Sequence, residues 1–259
     1  MSLLVGLAAV AVIGLWIWGT PPGVNGKVDA VAYAICHRIA AHSFLINGLP
    51  MPLCARCTGI YLGVMTSFLI AFASGRTRVS RLPPLRVIAV LIGFVVIMGI
   101  DGVNSYISLF RSSTFYEPEN WLRLVTGMYC GVAMFNLLFP VFNGVVWRNP
   151  DYRRGVSDLR ELGGICLVCA CVILLVLTQR PVFLYVFGVI STLGVVLMLT
   201  MIATVLFLSV VRLDRAATQW HHLAIPLLAG LTITFIELGG IDIVRYLLTG
   251  TWNGFTFGG

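Results

Sequence analysis

Seven stretches of apolar residues, most of them long enough to cross a lipid bilayer, constrain the fold of this chain more than any other feature. They cover about residues 3–18, 54–73, 87–110, 121–147, 162–177, 181–211 and 223–248. A helix needs about 20 mostly apolar residues to span the hydrocarbon core, where each backbone polar group must be satisfied internally. The pattern therefore predicts an all-α, polytopic transmembrane helical bundle of about seven spans.

The composition excludes a water-soluble protein, because 59% of the 259 residues are hydrophobic and only 10% are charged. Soluble domains carry about 25% charged residues to cover their surface. No polar run is long enough to form a core of its own, so residues 1–259 are predicted to form a single integral membrane domain. We divide it into a first span (1–20), an outer interfacial segment (21–53), spans two to four (54–147) and spans five to seven (148–259).

Two segments depart from a simple pattern of spans. Residues 29–46 are amphipathic but too polar to cross the bilayer, so we expect them to lie in the interface or to fold over the protein. Residues 181–211 are too long for one upright helix and too short for two. We interpret them as one tilted or overhanging helix, since tilt absorbs excess length, and the number of spans there stays open.

The basic residues predict the orientation of the chain. With the N-terminus inside and seven spans, ten of the seventeen Lys and Arg residues fall in inner loops, namely Arg76, Arg78, Arg81, Arg86, Arg148, Arg153, Arg154, Arg160, Arg212 and Arg215. This bias agrees with the positive-inside rule and places the C-terminus outside. It also accounts for the formal charge of +7 without nucleic-acid binding. The chain is thus expected to be a multi-pass protein of the cell membrane.

A cluster of cysteine and histidine residues lies on the predicted extracytoplasmic side. Cys54 and Cys57 are three residues apart at the start of a span, so both thiols face one side of the helix. Cys36 and His37 add ligands from the preceding segment, and His42 could replace His37. Such a set of borderline-soft ligands is what tetrahedral zinc or iron prefers. The cluster therefore predicts a metal site.

The same cysteines allow two other interpretations. Cys54 and Cys57 could form a redox pair, which would require a partner thiol protein or a quinone, or they could form a structural disulfide or remain inert. Arg38 and Arg56 lie beside the thiols and are expected to lower their pKa in either case. The other four cysteines, Cys130, Cys166, Cys169 and Cys171, lie inside apolar helices and are interpreted as small apolar fillers.

Ionisable residues inside the spans supply candidates for a catalytic role. Asp101 and Arg123 are expected to form a pair between helices, and Asp242 and Arg245 a pair on one helix face. Glu237 lies deeper, with no Arg or Lys three or four residues away. A lone carboxylate in a span predicts a proton site, a metal ligand or a contact with a bound molecule. Asp101, Arg123 and Glu237 are therefore the catalytic candidates, although the sequence leaves open whether the protein is an enzyme.

The cysteine segment also resembles a known signature. The run C-H-R at 36–38, followed by G-L-P-x-P-L-C-A-R-C-T-G-I-Y at 48–61, resembles a family of prokaryotic membrane proteins called domain of unknown function 2085. A second block, D-G-x-N at 101–104 and N-x-x-R-x-x-T-G at 120–127, is similar to a second block of that family. The family is expected to carry a glutamine near Asn104, so this chain departs from it at that position. The resemblance covers about residues 30–140. It implies a membrane location and a shared site, but no established reaction.

Three functions remain in competition. The first is a membrane protein with an extracytoplasmic zinc or iron site, and a closed set of four ligands favours a structural ion over a catalytic one. The second is a membrane thiol–disulfide oxidoreductase. The third is a non-catalytic accessory subunit that assembles with other membrane subunits. No inverted repeat or pair of broken helices supports a transporter.

Overall fold

The structure, a computed structural model, describes residues 2–108 and 116–253. Eight α-helices account for most of these residues: α1 (Ser2–Gly19), α2 (Gly23–Ile35), α3 (Ala55–Ala73), α4 (Leu85–Ile107), α5 (Asn120–Val146), α6 (Leu159–Leu177), α7 (Pro181–Val211) and α8 (Ala224–Thr249). Four short strands form two ribbons of two strands each: β1 (Leu45–Ile46) with β2 (Leu49–Pro50), and β3 (Val79–Arg81) with β4 (Asp151–Arg154).

Every helix except α2 is long and apolar enough to cross a membrane, which makes seven spans among the described residues. The predicted all-α polytopic bundle is therefore confirmed. The predicted end of the third span at residue 110 lies outside the described residues. Residues 181–211 form one continuous helix, α7. Its 31 residues extend over roughly 46 Å, well beyond the ~30 Å hydrocarbon core, so the helix must tilt or protrude.

The helix α5 forms the centre of the bundle and packs most closely against α3. In the apolar stretch of each helix, 67% of the residues of α5 are buried, compared with 11% in α1. Glycines allow the two backbones to approach: a Cβ atom on Gly131 would lie 1.8 Å from the carbonyl oxygen of Ile60, and one on Gly63 would lie 2.1 Å from that of Met128. Close contact through small residues is a common way for helices to associate in membranes.

The segment between α2 and α3 folds back onto the bundle. The amphipathic segment at residues 29–46 begins in α2, which buries residues 30–34 and packs against α7 and α8. This segment therefore folds over the protein, which was one of its two expected positions. The strands β1 and β2 then form a hairpin whose turn residues, Asn47 and Gly48, both have positive φ angles of 51° and 85°. Two such residues suit the tight turns that match the twist of a hairpin. The hairpin returns the chain to the start of α3, beside the end of α2.

Two of the loops predicted to be cytoplasmic are joined to each other. The strand β3, which precedes α4, pairs in parallel with β4, which follows α5. The Arg76 guanidinium forms an ion pair with Glu161, with a distance of 2.6 Å between Nη2 and Oε1. The guanidinium of Arg78 lies 3.9 Å from the centre of the Trp147 ring, a cation–π geometry. The basic loops are therefore ordered parts of the fold.

Candidate metal centre

Three of the predicted ligands come together in space. Ligand atoms of Cys36, His37 and Cys54 all lie within 4.8 Å of one another, with both cysteines buried and His37 half-buried. Two ligands of one zinc ion, at about 2.0–2.3 Å from it, lie at most about 4.6 Å apart. The spacing of these three groups is therefore close to what a single ion requires.

The backbone explains how residues 18 positions apart meet. The helix α2 ends at Ile35, and Cys36 is extended, with φ −120° and ψ 141°. Cys54 stands at the N-cap of α3, and its main-chain N–H donates a hydrogen bond of 3.3 Å to the Sγ atom of Cys36. Cys57 follows in the first turn of α3, and its side chain interacts with those of Cys36 and Cys54. The group of ligand atoms within 4.8 Å of one another therefore contains Cys36, His37 and Cys54, with Cys57 beside the two other cysteines.

The thiols of the cluster differ in their pKa. Hydrogen bonds from the thiols of Cys54 and Cys57 lower the pKa of Cys36 far below that of an ordinary thiol. The hydrogen bond that Cys54 donates to Cys36 raises the pKa of Cys54. Of these two thiols, Cys36 is therefore the more easily deprotonated. A divalent ion would replace the protons of those thiols, because metals bind the deprotonated forms.

The two neighbouring arginines do not cause this shift by their charge. The Nη2 atom of Arg38 lies 2.7 Å from Oδ1 of Asp29, and Arg56 pairs with Asp101. The lowered pKa of Cys36 comes instead from the neighbouring thiols and from the backbone amides of Cys54 and Arg38. The expectation that the guanidinium groups activate the thiols is therefore wrong in its cause.

The histidines are arranged as neutral side chains. Burial lowers the pKa of His37, and burial together with Arg123 lowers the pKa of His42 to about 4. The Nδ1 atom of His37 accepts a hydrogen bond of 3.2 Å from the main-chain N–H of Ile39. An ion at Nδ1 would displace this bond, and an ion at Nε2 would require the other tautomer, so His37 must give it up to bind a metal. The His42 ring lies 5.4 Å from that of His37.

Arg245 of α8 holds the cysteine segment in place. Its Nη1 atom donates hydrogen bonds to the carbonyl oxygens of Tyr33 and Cys36, the second at 2.6 Å, and its Nη2 atom donates to that of His37 at 3.4 Å. The guanidinium also lies 4.1 Å from the centre of the Tyr33 ring. The charges of Arg245 and Asp242, one turn apart on α8, attract each other, although no salt bridge within 4.0 Å joins them among the described residues.

The carboxylate of Asp101 is paired with Arg56 rather than with Arg123. The Nε atom of Arg56 donates to Oδ2 of Asp101 at 3.1 Å, and Tyr116 donates to Oδ1 at 3.0 Å. Arg123 donates instead to Ser105, at 3.4 Å. The expected Asp101–Arg123 pair is wrong because Arg56, in the first turn of α3, reaches both the side chain and the main-chain oxygen of Asp101.

This polar network borders the cysteine cluster. Arg56 stands between Cys54 and Cys57 in the chain, and its Nη2 atom also donates to Ser105 at 2.9 Å. The charge of Arg123 interacts with Cys54 as well as with Asp101. Two of the three catalytic candidates, Asp101 and Arg123, therefore lie in a network adjoining the predicted ligands.

The third candidate lies elsewhere. Glu237 is exposed on α8, 13 residues after the first residue of that helix. Among residues 2–108 and 116–253, none makes a hydrogen bond or ion pair with it. The structure does not bring Glu237 to the cysteine cluster, and its functional role stays a prediction.

The remaining cysteines lie within other helices. Cys130 is buried in α5, and Cys169 belongs to the apolar core of α6, while Cys166 is half-buried and Cys171 is exposed. None of them joins the ligand group formed by the described residues. Their positions agree with their interpretation as apolar fillers.

The fold and the site together define a polytopic membrane protein with a cysteine–histidine group that could hold a metal ion. Its sequence matches the profile of the family described as "Predicted membrane protein (DUF2085)" over residues 36–137. The chain belongs to this family. The matched region contains all four predicted ligands and the polar network of Asp101 and Arg123.

Two archaeal proteins are similar to this region. An uncharacterized protein of Methanothermobacter thermautotrophicus is 35% identical over 100 residues, which are 39% of this chain and 80% of the relative. The uncharacterized protein MJ1492 of Methanocaldococcus jannaschii is 29% identical over 119 residues, 46% of this chain and 70% of the relative. No solved structure matches the chain.

Proposed function

We propose that this chain is an integral membrane protein whose residues Cys36, His37, Cys54 and Cys57 bind one zinc or iron ion on the extracytoplasmic face. The observation that carries the proposal is the mutual approach of the ligand atoms of Cys36, His37 and Cys54 to within 4.8 Å, with the Cys57 side chain interacting with both other cysteines. Three sulfur atoms and one imidazole are a ligand set typical of structural zinc.

A structural role suits the position of the ligands. The ion would join the end of α2 to the start of α3, and the segment between them contains only a single turn of 3₁₀ helix and a hairpin of two-residue strands. Its Phe44, Met51 and Leu53 are buried in the apolar core, and an ion would add a cross-link between the two helix ends that this segment connects. A closed set of four ligands leaves no position for a substrate, which favours structure over catalysis.

The basic loops support the extracytoplasmic location. Cys54 and Cys57 lie at the start of α3, whereas β3 follows the end of that helix and pairs with β4. The ribbon and the cysteines therefore lie at opposite ends of α3. Basic loops favour the cytoplasmic side. The cysteine cluster, at the other end of α3, would then face outwards.

A thiol–disulfide oxidoreductase is the second candidate. The specific observation in its favour is the position of Cys36 beside Cys54 and Cys57, whose thiols lower its pKa. A thiolate with a neighbouring thiol is the arrangement that attacks and resolves disulfides. This function would require a partner thiol protein or a quinone as electron acceptor.

The test is the metal content of the protein purified in mild detergent without chelator, measured by elemental mass spectrometry. We expect about one zinc or iron ion per chain and its loss in the double variant Cys54→Ser, Cys57→Ser. The double variant Cys166→Ser, Cys169→Ser changes two cysteines of the same spacing inside α6 and should keep the ion.

Titration of the thiols separates the two candidates. A protein without metal, whose Cys54 and Cys57 are oxidised as isolated, would contradict the metal site and favour the oxidoreductase. A metal that the Cys54→Ser, Cys57→Ser variant retains would place the ion at other residues.

A further inference from the structure

A second potential site lies in a cleft between the first and last helices. The cleft has a volume of about 630 Å³, and its walls are formed by Val12 and Trp16 of α1 and by Phe235, Gly239 and Ile243 of α8, with Trp252 at one end. Its size falls within the range of about 300–1,000 Å³ typical of small-molecule sites. Neither helix belongs to the region matched by the family, residues 36–137.

One buried carboxylate stands in this apolar cleft. Asp242 is only 2% exposed, and its Oδ2 atom accepts a hydrogen bond of 3.2 Å from Nε1 of Trp16. Its Oδ1 atom lacks a hydrogen-bond partner within the part of the chain that the structure describes. The charge of Arg245, one turn further on, attracts the carboxylate. A buried acceptor without a donor is destabilising, so a donor that reaches Oδ1 from outside the chain would be favoured.

The cleft is open to the bilayer. Leu15 and Leu247, which line it, are 66% and 78% exposed, so the opening faces lipid in a membrane. A Cβ atom added to Gly240 would have no atom within 4 Å, and one on Gly239 would meet only the Trp16 ring, at 3.3 Å. The small side chains of α8 thus leave room between the two helices for an apolar molecule that enters sideways.

We propose that this cleft binds an apolar molecule of the bilayer whose hydroxyl group donates a hydrogen bond to Oδ1 of Asp242. An alcohol or phenol supplies the missing donor, and the apolar remainder fills the space between Trp16 and Ile243. Two membrane sources share this chemistry, isoprenoid alcohols and alkylated hydroquinones. The proposal does not depend on a metal at the cysteine cluster.

Direct binding to the purified full-length protein tests the proposal. Tritiated farnesol and tritiated decylhydroquinone serve as probes in a scintillation proximity assay, each displaced by its unlabelled form and by its fully methylated ether, which for the hydroquinone is the dimethyl ether. We expect at least one probe to bind saturably, with its ether at least tenfold weaker because the ether cannot donate. The probe that binds identifies the source. Saturable binding of neither, or equal binding of hydroxyl and ether forms, would overturn the proposal.

Two variants locate the bound molecule. Asp242→Leu removes the acceptor and should abolish the preference for the hydroxyl form. Gly240→Leu places a side chain in the cleft at a position where an added Cβ has no atom within 4 Å, and it should weaken binding at least tenfold. Its matched control is Gly99→Leu on α4, which is also an exposed glycine with no atom within 4 Å and should bind as the wild type does. If Asp242→Leu does not fold, Gly240→Leu still decides: unchanged binding in that variant overturns the proposal.

Discussion

The Nη1 atom of Arg245, near the end of the last helix, donates a hydrogen bond of 2.6 Å to the carbonyl oxygen of Cys36, 209 residues earlier in the chain. Cys36 begins the region that the family shares, whereas Arg245 lies outside it. The helix α8 therefore supports the candidate metal centre from outside the matched region, because Arg245 donates hydrogen bonds to three backbone carbonyls of the cysteine segment.

Replacing Arg245 with Met should loosen the cysteine segment. The carbonyls of Tyr33 and Cys36 would lose a charged donor, and each buried group left unsatisfied costs about 1–3 kcal/mol. We expect a lower unfolding temperature in detergent and faster reaction of Cys36 with a maleimide. Arg160→Met, at an exposed position, is the control and should match the wild type in both measurements. An unchanged maleimide rate in Arg245→Met would show that the segment holds its position without this arginine.

The buried pair of Arg56 and Asp101 should matter far more than an ion pair at the surface. Asp101→Asn leaves the guanidinium of Arg56 without its counter-charge at a site where Asp101 is 1% exposed. Removing one partner of a buried pair costs about 3–5 kcal/mol. We expect a loss of that size in the free energy of unfolding, measured by denaturant titration in mixed micelles.

A surface pair provides the control for this prediction. Arg76 and Glu161 form an ion pair whose side chains are 28% and 35% exposed, so Glu161→Gln should cost about 1 kcal/mol or less. The double variant Arg56→Met, Asp101→Leu should recover part of the loss, since it leaves no buried charge. Equal costs for Asp101→Asn and Glu161→Gln would contradict the importance of burial.

The contact between α3 and α5 should not tolerate a single added methyl group. In Gly131→Ala the new Cβ atom would lie 1.8 Å from the carbonyl oxygen of Ile60, so the two helices must separate. Overpacking of this kind costs about 1–3 kcal/mol, occasionally more. Gly102→Ala on α4 meets no atom within 4 Å and should be neutral or slightly stabilising, as alanine favours a helix. Thermal unfolding of both variants in one detergent would show the difference, and equal unfolding temperatures would contradict it.

The sequence predicted the parts of the fold that depend on length and hydrophobicity. The apolar runs predict seven spans because only a helix satisfies its own backbone in lipid, and all seven are present. The close approach of Cys36, His37 and Cys54 also agrees with the ligand set predicted from spacing. These features are local, or they join segments separated by a single short hairpin.

Interactions between distant helices were beyond such reasoning. The sequence pairs Asp101 with Arg123 across the short loop between their helices, but the rotation of each helix decides which side chains meet. Arg56 of α3 forms the ion pair with Asp101. Trp16 of α1 donates a hydrogen bond to Asp242, 226 residues later in the chain. A spacing rule within one helix cannot predict such contacts.

Variants of the two neighbouring histidines should show which of them is a metal ligand. His37 belongs to the group of converging ligand atoms, and the ring of His42 packs at an angle of 76° beside it. We expect His37→Ala to lower zinc affinity at least tenfold, because a ligand is lost, and His42→Ala to change it much less. Competition with a chromogenic zinc chelator measures both affinities. Loss of affinity only in His42→Ala would transfer the ligand role to that residue.

Replacing Glu237 with leucine should stabilise the isolated protein. The side chain is exposed near the middle of α8, and a charged group at the centre of a span costs about 2.5–3.5 kcal/mol on insertion scales. With no partner among the described residues to offset this cost, Glu237→Leu should raise the unfolding temperature in detergent. Glu117→Leu, at an exposed position between α4 and α5, is the control and should not raise it.

The opposite outcome for Glu237 would be equally informative, because it bears on the accessory-subunit hypothesis. A lower unfolding temperature, or a smaller assembly by light scattering after gel filtration, would mean that Glu237 contacts another subunit or a second copy through its carboxylate. Glu237→Gln would then distinguish the contribution of hydrogen bonding from that of the negative charge. The amide keeps the hydrogen bonds but not the charge, so a glutamine variant that restores the assembly would point to hydrogen bonding, whereas one that fails would require a basic residue on the partner.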